Sequence, residues 1–167
     1  MRSFYLFLLL SCSMLFAESI PFQEKRYIYA LNNTIVKNGT INASKNDLTI
    51  LYSNGGQKLT YAENRLTITG EGKTKVIDLD KDIVTKLFFV VLQAIFHDDQ
   101  KQLKRFFTIE SKGTQRILYP KELASKRIVK IIYKKNDTLD YLHIYLKNRD
   151  RISIEQVITP STNSLNF

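Results

Sequence analysis

Apolar and polar residues alternate with a period of two along most of the chain, the pattern of strands that bury one face. In "KRYIYAL", Tyr27, Tyr29 and Leu31 share one face. In "DLTILYS", Leu48, Ile50 and Tyr52 do so. "KLTYAENRLTITGEG" places Leu59 and Tyr61 before a polar corner at Ala62–Glu63–Asn64, and Leu66 and Ile68 after it. "TKVIDL", "TQRILYP", "RIVKIIYKKN", "TLDYLHIYLKN" and "RISIEQVI" continue the alternation. Turn signals such as "SNGG", "TGEG", "SKG", "KKND" and "KNRD" separate the runs. With two strands between residues 22 and 43, the pattern predicts about ten to eleven short strands. The expected class is mainly β (α+β): an antiparallel sheet that curls into an incomplete, strongly curved barrel.

The pattern breaks at "KLFFVVLQAIFHDD", residues 86 to 99. At 100° per residue, Asp82, Lys86, Gln93, His97 and Gln100 fall within a sector of roughly 60°, and nearly all the apolar residues lie outside it. A surface helix hides a stripe of about 100° or somewhat more, so a helix over 83–97 requires burial around most of its girth. Two roles remain open for it. It is either the packed core of an α+β domain, or a lid across the mouth of a half-open barrel. A membrane span is disfavoured because Lys86 and Gln93 interrupt a run already short of the about 20 residues needed. "DDQKQLKRFF" predicts a second short helix, capped by Asp99 with Gln102 three residues on, and with Leu103, Phe106 and Phe107 facing inward.

The first 17 residues, "MRSFYLFLLLSCSMLFA", join a basic Arg2, an apolar run and a small Ala17, the layout of a secretory signal peptide. An uncleaved anchor is the alternative. "LLSC" also suggests a lipoprotein cleavage box at Cys12, but Leu10 is bulky and the apolar run continues through Phe16. The expected organisation is a signal peptide over 1–17, one domain over 18–159 and a loose tail over 160–167. Export to the periplasm follows, and without Cys12 the mature chain has no cysteine, so it folds without disulfides.

The 167 residues are 44% hydrophobic and 25% charged, enough for a globular core. The net charge of +9 falls by one with Arg2. Such a balance favours acidic partners. An exported chain with no basic helix, zinc pattern or RNA-binding signature is not expected to bind nucleic acid, which leaves anionic headgroups or a merely solvated basic face.

Catalytic and metal-binding patterns are sparse. The chain has two histidines. His97 belongs to "HDD", where consecutive residues point to different sides of a helix, so a cap or solvated run is expected rather than a metal site. His143 in "YLHIY" sits between Tyr141 and Tyr145, as a packed or hydrogen-bonded side chain or a cavity-lining one. There is no G-x-S-x-G, phosphate loop, H-E-x-x-H or cysteine pair. Glu24 and Asp140 are candidate paired carboxylates that nothing in the sequence brings together. No catalytic residue, metal or cofactor is expected.

The order of motifs resembles the periplasmic outer-membrane lipoprotein carrier family (LolA-like), in its shorter, divergent branch. "FQEKRYIYALNNTIVKNGTI" carries Phe22, Glu24 and Arg26 in an F-x-E-x-R pattern, with Gly39 opening an outward strand. "ASKNDLTILYSNGGQKLTYAENRLTI", "LFFVVLQAIFHDDQKQLKRFF" and "RILYPKE", with its L-x-P-K strand at Leu118, Pro120 and Lys121, follow in the family's order. The similarity runs from about Phe22 to Val157. It departs in lacking the long N-terminal helix of better-known members, in having no Trp, and in placing Asn46 rather than Pro after Lys45.

The resemblance implies a lid helix contributing Leu87, Phe88, Val91, Leu92 and Ile95. Opposite it, Tyr29, Ile50, Tyr52, Tyr61, Leu118 and Tyr141 would line a lipid-sized cavity, with Lys45 as candidate tether of the lid. Core packing is the alternative role for each apolar residue. The implied function is a periplasmic carrier that holds acyl chains of lipoproteins or lipids and ferries them toward the outer membrane. Its implied partners are the acylated lipoprotein or lipid, an inner-membrane transporter that releases it and an outer-membrane acceptor, with the carrier a monomer. A cell-envelope adaptor that binds a protein through the same fold, or a small lipid-modifying enzyme, are the competing classes.

Overall fold

The computed structural model describes residues 18–157. The expected signal peptide with Cys12, and the expected tail over 160–167, lie outside the described residues.

Eleven strands form one antiparallel sheet. They are β1 (Glu18–Ile28), β2 (Asn33–Ala43), β3 (Asp47–Tyr52), β4 (Lys58–Ala62), β5 (Arg65–Gly70) and β6 (Lys73–Asp78), followed by β7 (Phe107–Lys112), β8 (Gln115–Pro120), β9 (Ile128–Lys135), β10 (Leu139–Leu146) and β11 (Arg151–Gln156). β1 is central. From it the sheet runs through β2, β3, β4 and β5 to one edge at β6, and through β11, β10, β9 and β8 to the other edge at β7. The two edges do not pair, so the sheet is open rather than a closed barrel. Helix α1 (Ile83–Phe96) and helix α2 (Gln100–Phe106) fall in sequence between the two edge strands.

Tight turns explain most of the strand reversals. Glu63 and Asn64 have φ of 49° and 64°, and Glu71 and Gly72 have 51° and 72°. Two positive φ values in a two-residue loop give the twist that suits adjacent antiparallel strands. The β1–β2 connection differs from the sequence expectation. Tyr29 and Leu31 do not continue the strand; Tyr29–Leu31 form a 3-10 turn that ends at Asn32, with φ of 45°. Asparagine tolerates the left-handed region, so the chain reverses there despite the alternation on either side. Gly39 does not open a strand but lies within β2. A Cβ at that position would sit 2.3 Å from the Leu51 carbonyl oxygen and 3.1 Å from the Phe22 ring, so only glycine lets β2 and β3 close up there.

The inner face of the sheet wraps α1. Phe22, Ile41 and Ile50 from one half of the sheet, and Leu118, Ile131 and Leu142 from the other, join one core with the helix. Every residue from Leu87 to Leu92 is buried, as are Ala94 and Ile95, which accounts for the missing polar side. The helix begins where Asp82 accepts hydrogen bonds from Thr85 N at 3.2 Å and Thr85 Oγ1 at 2.6 Å. Asp99 caps α2 by accepting from Gln102 N at 2.9 Å. Leu103 faces inward as the period requires, while Phe107 is buried as the first residue of β7 rather than the last of the helix.

Candidate functional site

The 14-residue α1 covers the concave face unevenly. In its C-terminal half Leu92 and Ile95 are packed with no more than 1% exposure to solvent. Beneath its N-terminal half lies a cavity of about 590 Å³. Val84, Phe88 and Phe89 form the helix side, and Leu59, Leu66, Ile68 and Ile77 the sheet side. Leu79, in the 3-10 turn before α1, closes one wall, and Ile152 from β11 contributes on the far side.

One corner of the cavity is polar. Glu24, Arg26 and Phe22 stand two residues apart on β1, so all three point to the inner face. Glu24 is only 1% exposed. Its two carboxylate oxygens accept hydrogen bonds from Arg26 Nε and from the Tyr52 hydroxyl. Lys37 stands opposite Glu24 in the β1–β2 register, and its Nζ lies 4.8 Å from the centre of the Tyr52 ring. Arg26, Lys37 and Tyr52 all border the cavity. A buried carboxylate survives in an apolar wall only when paired and hydrogen-bonded, and here one cation and one hydroxyl meet that condition. Burial and the adjoining Glu24 push the Tyr52 phenol far up from its usual value, so it stays a donor. Burial works to lower the Arg26 guanidinium, but Glu24 outweighs it and the net shift is upward.

The two ends of α1 are held differently. At the C-terminal end, His97 Nε2 is 2.7 Å from the Ser44 carbonyl oxygen in the β2–β3 connection. Lys135 Nζ donates to Phe96 O at 3.2 Å and to Asp98 at 2.6 Å. The Lys135 side chain is 12% exposed but Asp98 is 74% exposed, so this end is distinguished by the number of its contacts rather than by their shielding. At the N-terminal end the cross-element contact is the ion pair of Lys86 with Asp80, 3.0 Å long with Asp80 well exposed. Lys86 and Asn64 hold the Asp80 carboxyl below its usual range.

Of the residues implicated from sequence, Phe88 and Tyr52 border the cavity. Leu87, Val91, Leu92, Ile95, Ile50, Tyr61 and Leu118 are buried in the core around it. Tyr61 forms part of that packing, stacked on Phe89. Tyr29 is 46% exposed on the 3-10 turn. Tyr141 lies on the outer face of the sheet, where its hydroxyl accepts from Gln115 at 2.7 Å and its ring stacks on His143. Lys45 is exposed and borders a shallower cleft with Val90, Gln93 and His97; contacts to the helix end come instead from Ser44 and Lys135. Glu24 and Asp140 are not neighbours, since Asp140 pairs with Lys134 at 2.9 Å on the outer face. Neither the polar corner nor the His97 contact emerges from the sequence as a site feature. The F-x-E-x-R spacing does put Glu24 and Arg26 on one face, which is the signal that could have found the corner.

Among the described residues, no cluster of three or more His, Cys, Asp or Glu side chains could hold a metal ion. No helix among them is long and apolar enough to cross a membrane. His143 Nε2 is buried and lies 3.7 Å from Glu155, beyond hydrogen-bonding distance. Burial holds its imidazole below the usual value in spite of that carboxylate.

No protein-family model and no curated protein matches the chain. Solved structures similar to it include the Mycobacterium tuberculosis lipoprotein LppX, with 9% identity and a TM-score of 0.43, covering 84% of this chain and 85% of that one. A LolA superfamily protein from Nitrosomonas europaea is similar at 9% identity and a TM-score of 0.44, over 85% of this chain and 84% of its own.

Proposed function

We propose that the protein is a periplasmic carrier that takes acyl chains of a lipid or lipoprotein into the cavity beneath α1 and releases them toward the outer membrane. The observation that carries this reading is the cavity itself, about 590 Å³ between a helix and a curved sheet. That size lies in the range of about 300–1,000 Å³ typical of small-molecule sites. The space is a half-open cleft with an apolar floor, and an acyl chain laid into it gains about 0.8 kcal/mol per buried methylene. Entry follows lifting of the N-terminal half of α1, where a single ion pair reaches the helix, while the end held by His97 and by both contacts of Lys135 acts as the hinge. Binding is reversible, as a carrier requires.

The test is organic extraction and mass spectrometry of the mature protein purified from a periplasmic fraction. A stoichiometric acylated species is expected, and it should vanish in Ile77→Asp, which puts a charge into the cavity from a half-buried edge position. Recovery of apo protein that also takes up no acyl probe would sink the carrier reading.

A further inference from the structure

The cavity is apolar along most of its wall and cationic at one corner. We propose that Arg26 and Lys37, oriented by Glu24 and Tyr52, hold the anionic head group of the acyl ligand, a carboxylate or a phosphate; this rests on the carrier reading and specifies its ligand class.

Four observations carry the proposal. Arg26 spends its Nε on Glu24, and its terminal nitrogens donate no hydrogen bond to a protein group among the described residues. The Arg26 side chain remains 48% exposed at the cavity wall. Lys37, which also borders the cavity, forms no ion pair among the described residues, and its ammonium rests on the Tyr52 ring. The two other acids at the cavity wall are committed elsewhere. Asp82 caps α1, and Asp150 accepts from the Tyr29 amide at 2.8 Å and from Asn148 at 2.7 Å. Arg151 is a third cation at the wall, and the buried Glu24 behind Arg26 already has a partner on each oxygen, so the terminal nitrogens of Arg26 and the Lys37 ammonium are left to meet an anion.

The arrangement suits an anion better than it suits stability. A structural ion pair in an apolar wall is usually no better than apolar side chains of similar volume. What Glu24 does supply is orientation. By fixing Nε it aims the rest of a planar fork into the cavity, the geometry that binds carboxylates and phosphates through two parallel bonds. Lys37 adds a point charge beside it. The adjoining apolar wall of Leu59, Ile68 and Phe88 then takes the chain.

The experiment is isothermal titration calorimetry of the mature chain with three ligands of one chain length: dodecanoate, dodecyl phosphate and uncharged dodecanol. At least one anion should bind about tenfold or more tightly than dodecanol, as a charge-assisted contact requires. The tighter of the two anions identifies the head group as carboxylate or phosphate. Lys37→Met and the pair Glu24→Gln with Arg26→Gln should each cut the anion preference, read as the ratio of anion to dodecanol affinity in the same variant. Equal affinity for all three ligands would overturn the head-group proposal and leave the carrier standing. So would an anion preference untouched by both sets of substitutions. Binding of none of the three would overturn the carrier reading, and this proposal with it.

Discussion

Tyr61 of β4 and Phe89 of α1 stack with ring centres 5.3 Å apart and planes 15° from parallel. This contact docks the helix onto the sheet beside the cavity. Such a pair contributes about 0.5–1.5 kcal/mol beyond its area. Tyr61→Leu should therefore loosen the N-terminal half of α1. Amide hydrogen exchange at Leu87 to Val90 should speed up relative to Leu92 and Ile95. Equal acceleration along the whole helix would instead mean that α1 moves as one rigid piece.

The Glu24–Arg26 pair should behave non-additively. Arg26→Met leaves a carboxylate that is 1% exposed with Tyr52 as its remaining partner. The expected cost is about 2 kcal/mol, less than the 3–5 of a fully buried pair because half-exposed Arg26 is already screened by water. Glu24→Gln added to Arg26→Met removes the stranded charge. Urea denaturation should find the double variant more stable than Arg26→Met alone.

At the hinge end, His97→Ala removes the contact to Ser44 and should raise local opening of the α1 C-terminus about fivefold, the equivalent of about 1 kcal/mol. Lys45→Ala should leave opening unchanged, since no hydrogen bond or ion pair joins Lys45 to the helix among the described residues. Hydrogen exchange at Ile95 and Phe96 measures both.

His143 makes stability depend on pH. Its folded-state value lies below the usual 6.5, chiefly through burial. In the window just below 6.5 the unfolded chain binds a proton that the native chain does not, so stability is full above that window and falls as pH drops through it. Thermal melts between about pH 8 and about pH 5 should show this loss, and His143→Gln should flatten that part of the curve.

Packing and binding should separate cleanly between two apolar positions. Leu92 is 0% exposed in the closed half of the core, so Leu92→Ala should cost about 2–5 kcal/mol. Acyl uptake per folded molecule should remain normal. Ile77→Asp should do the reverse, sparing most of the stability and abolishing uptake.

Much of the architecture was legible because it is local. The polar stripe of Lys86 and Gln93 was narrow enough to require burial around α1, and Asp99 with Gln102 marked the start of α2. The positions that escaped depend on backbone phase and register. In "TLDYLHIYLKN" both faces are apolar, so alternation alone does not say which one turns inward. A register shift between Leu139 and Tyr141 then reverses the phase: Leu139 joins the core and Tyr141 faces out. Tyr29 alternates correctly with Tyr27 yet sits in a turn, because Asn32 takes a left-handed conformation. Glu24 and Arg26 are two residues apart on one strand, but Tyr52 reaches them from β3, 28 residues away. No spacing rule carries that distance; pairing of β1 with β2 and of β2 with β3 does.

An open sheet also has consequences in a crowded solution. β6 and β7 each leave one row of backbone donors and acceptors without a strand partner, the surface on which another chain could extend the sheet and begin a fibril. β6 answers with Lys73, Lys75 and Asp78 along an exposed ribbon, and β7 with the Lys112–Glu110 pair at 3.3 Å. A second molecule approaching either edge would have to strip water from these charges or bring like charges together. Val76, 59% exposed in the midst of β6, is the weak point of that protection. Replacing Lys75 with valine would join it into a short apolar ribbon, and colloidal stability would be the property to suffer before folding did.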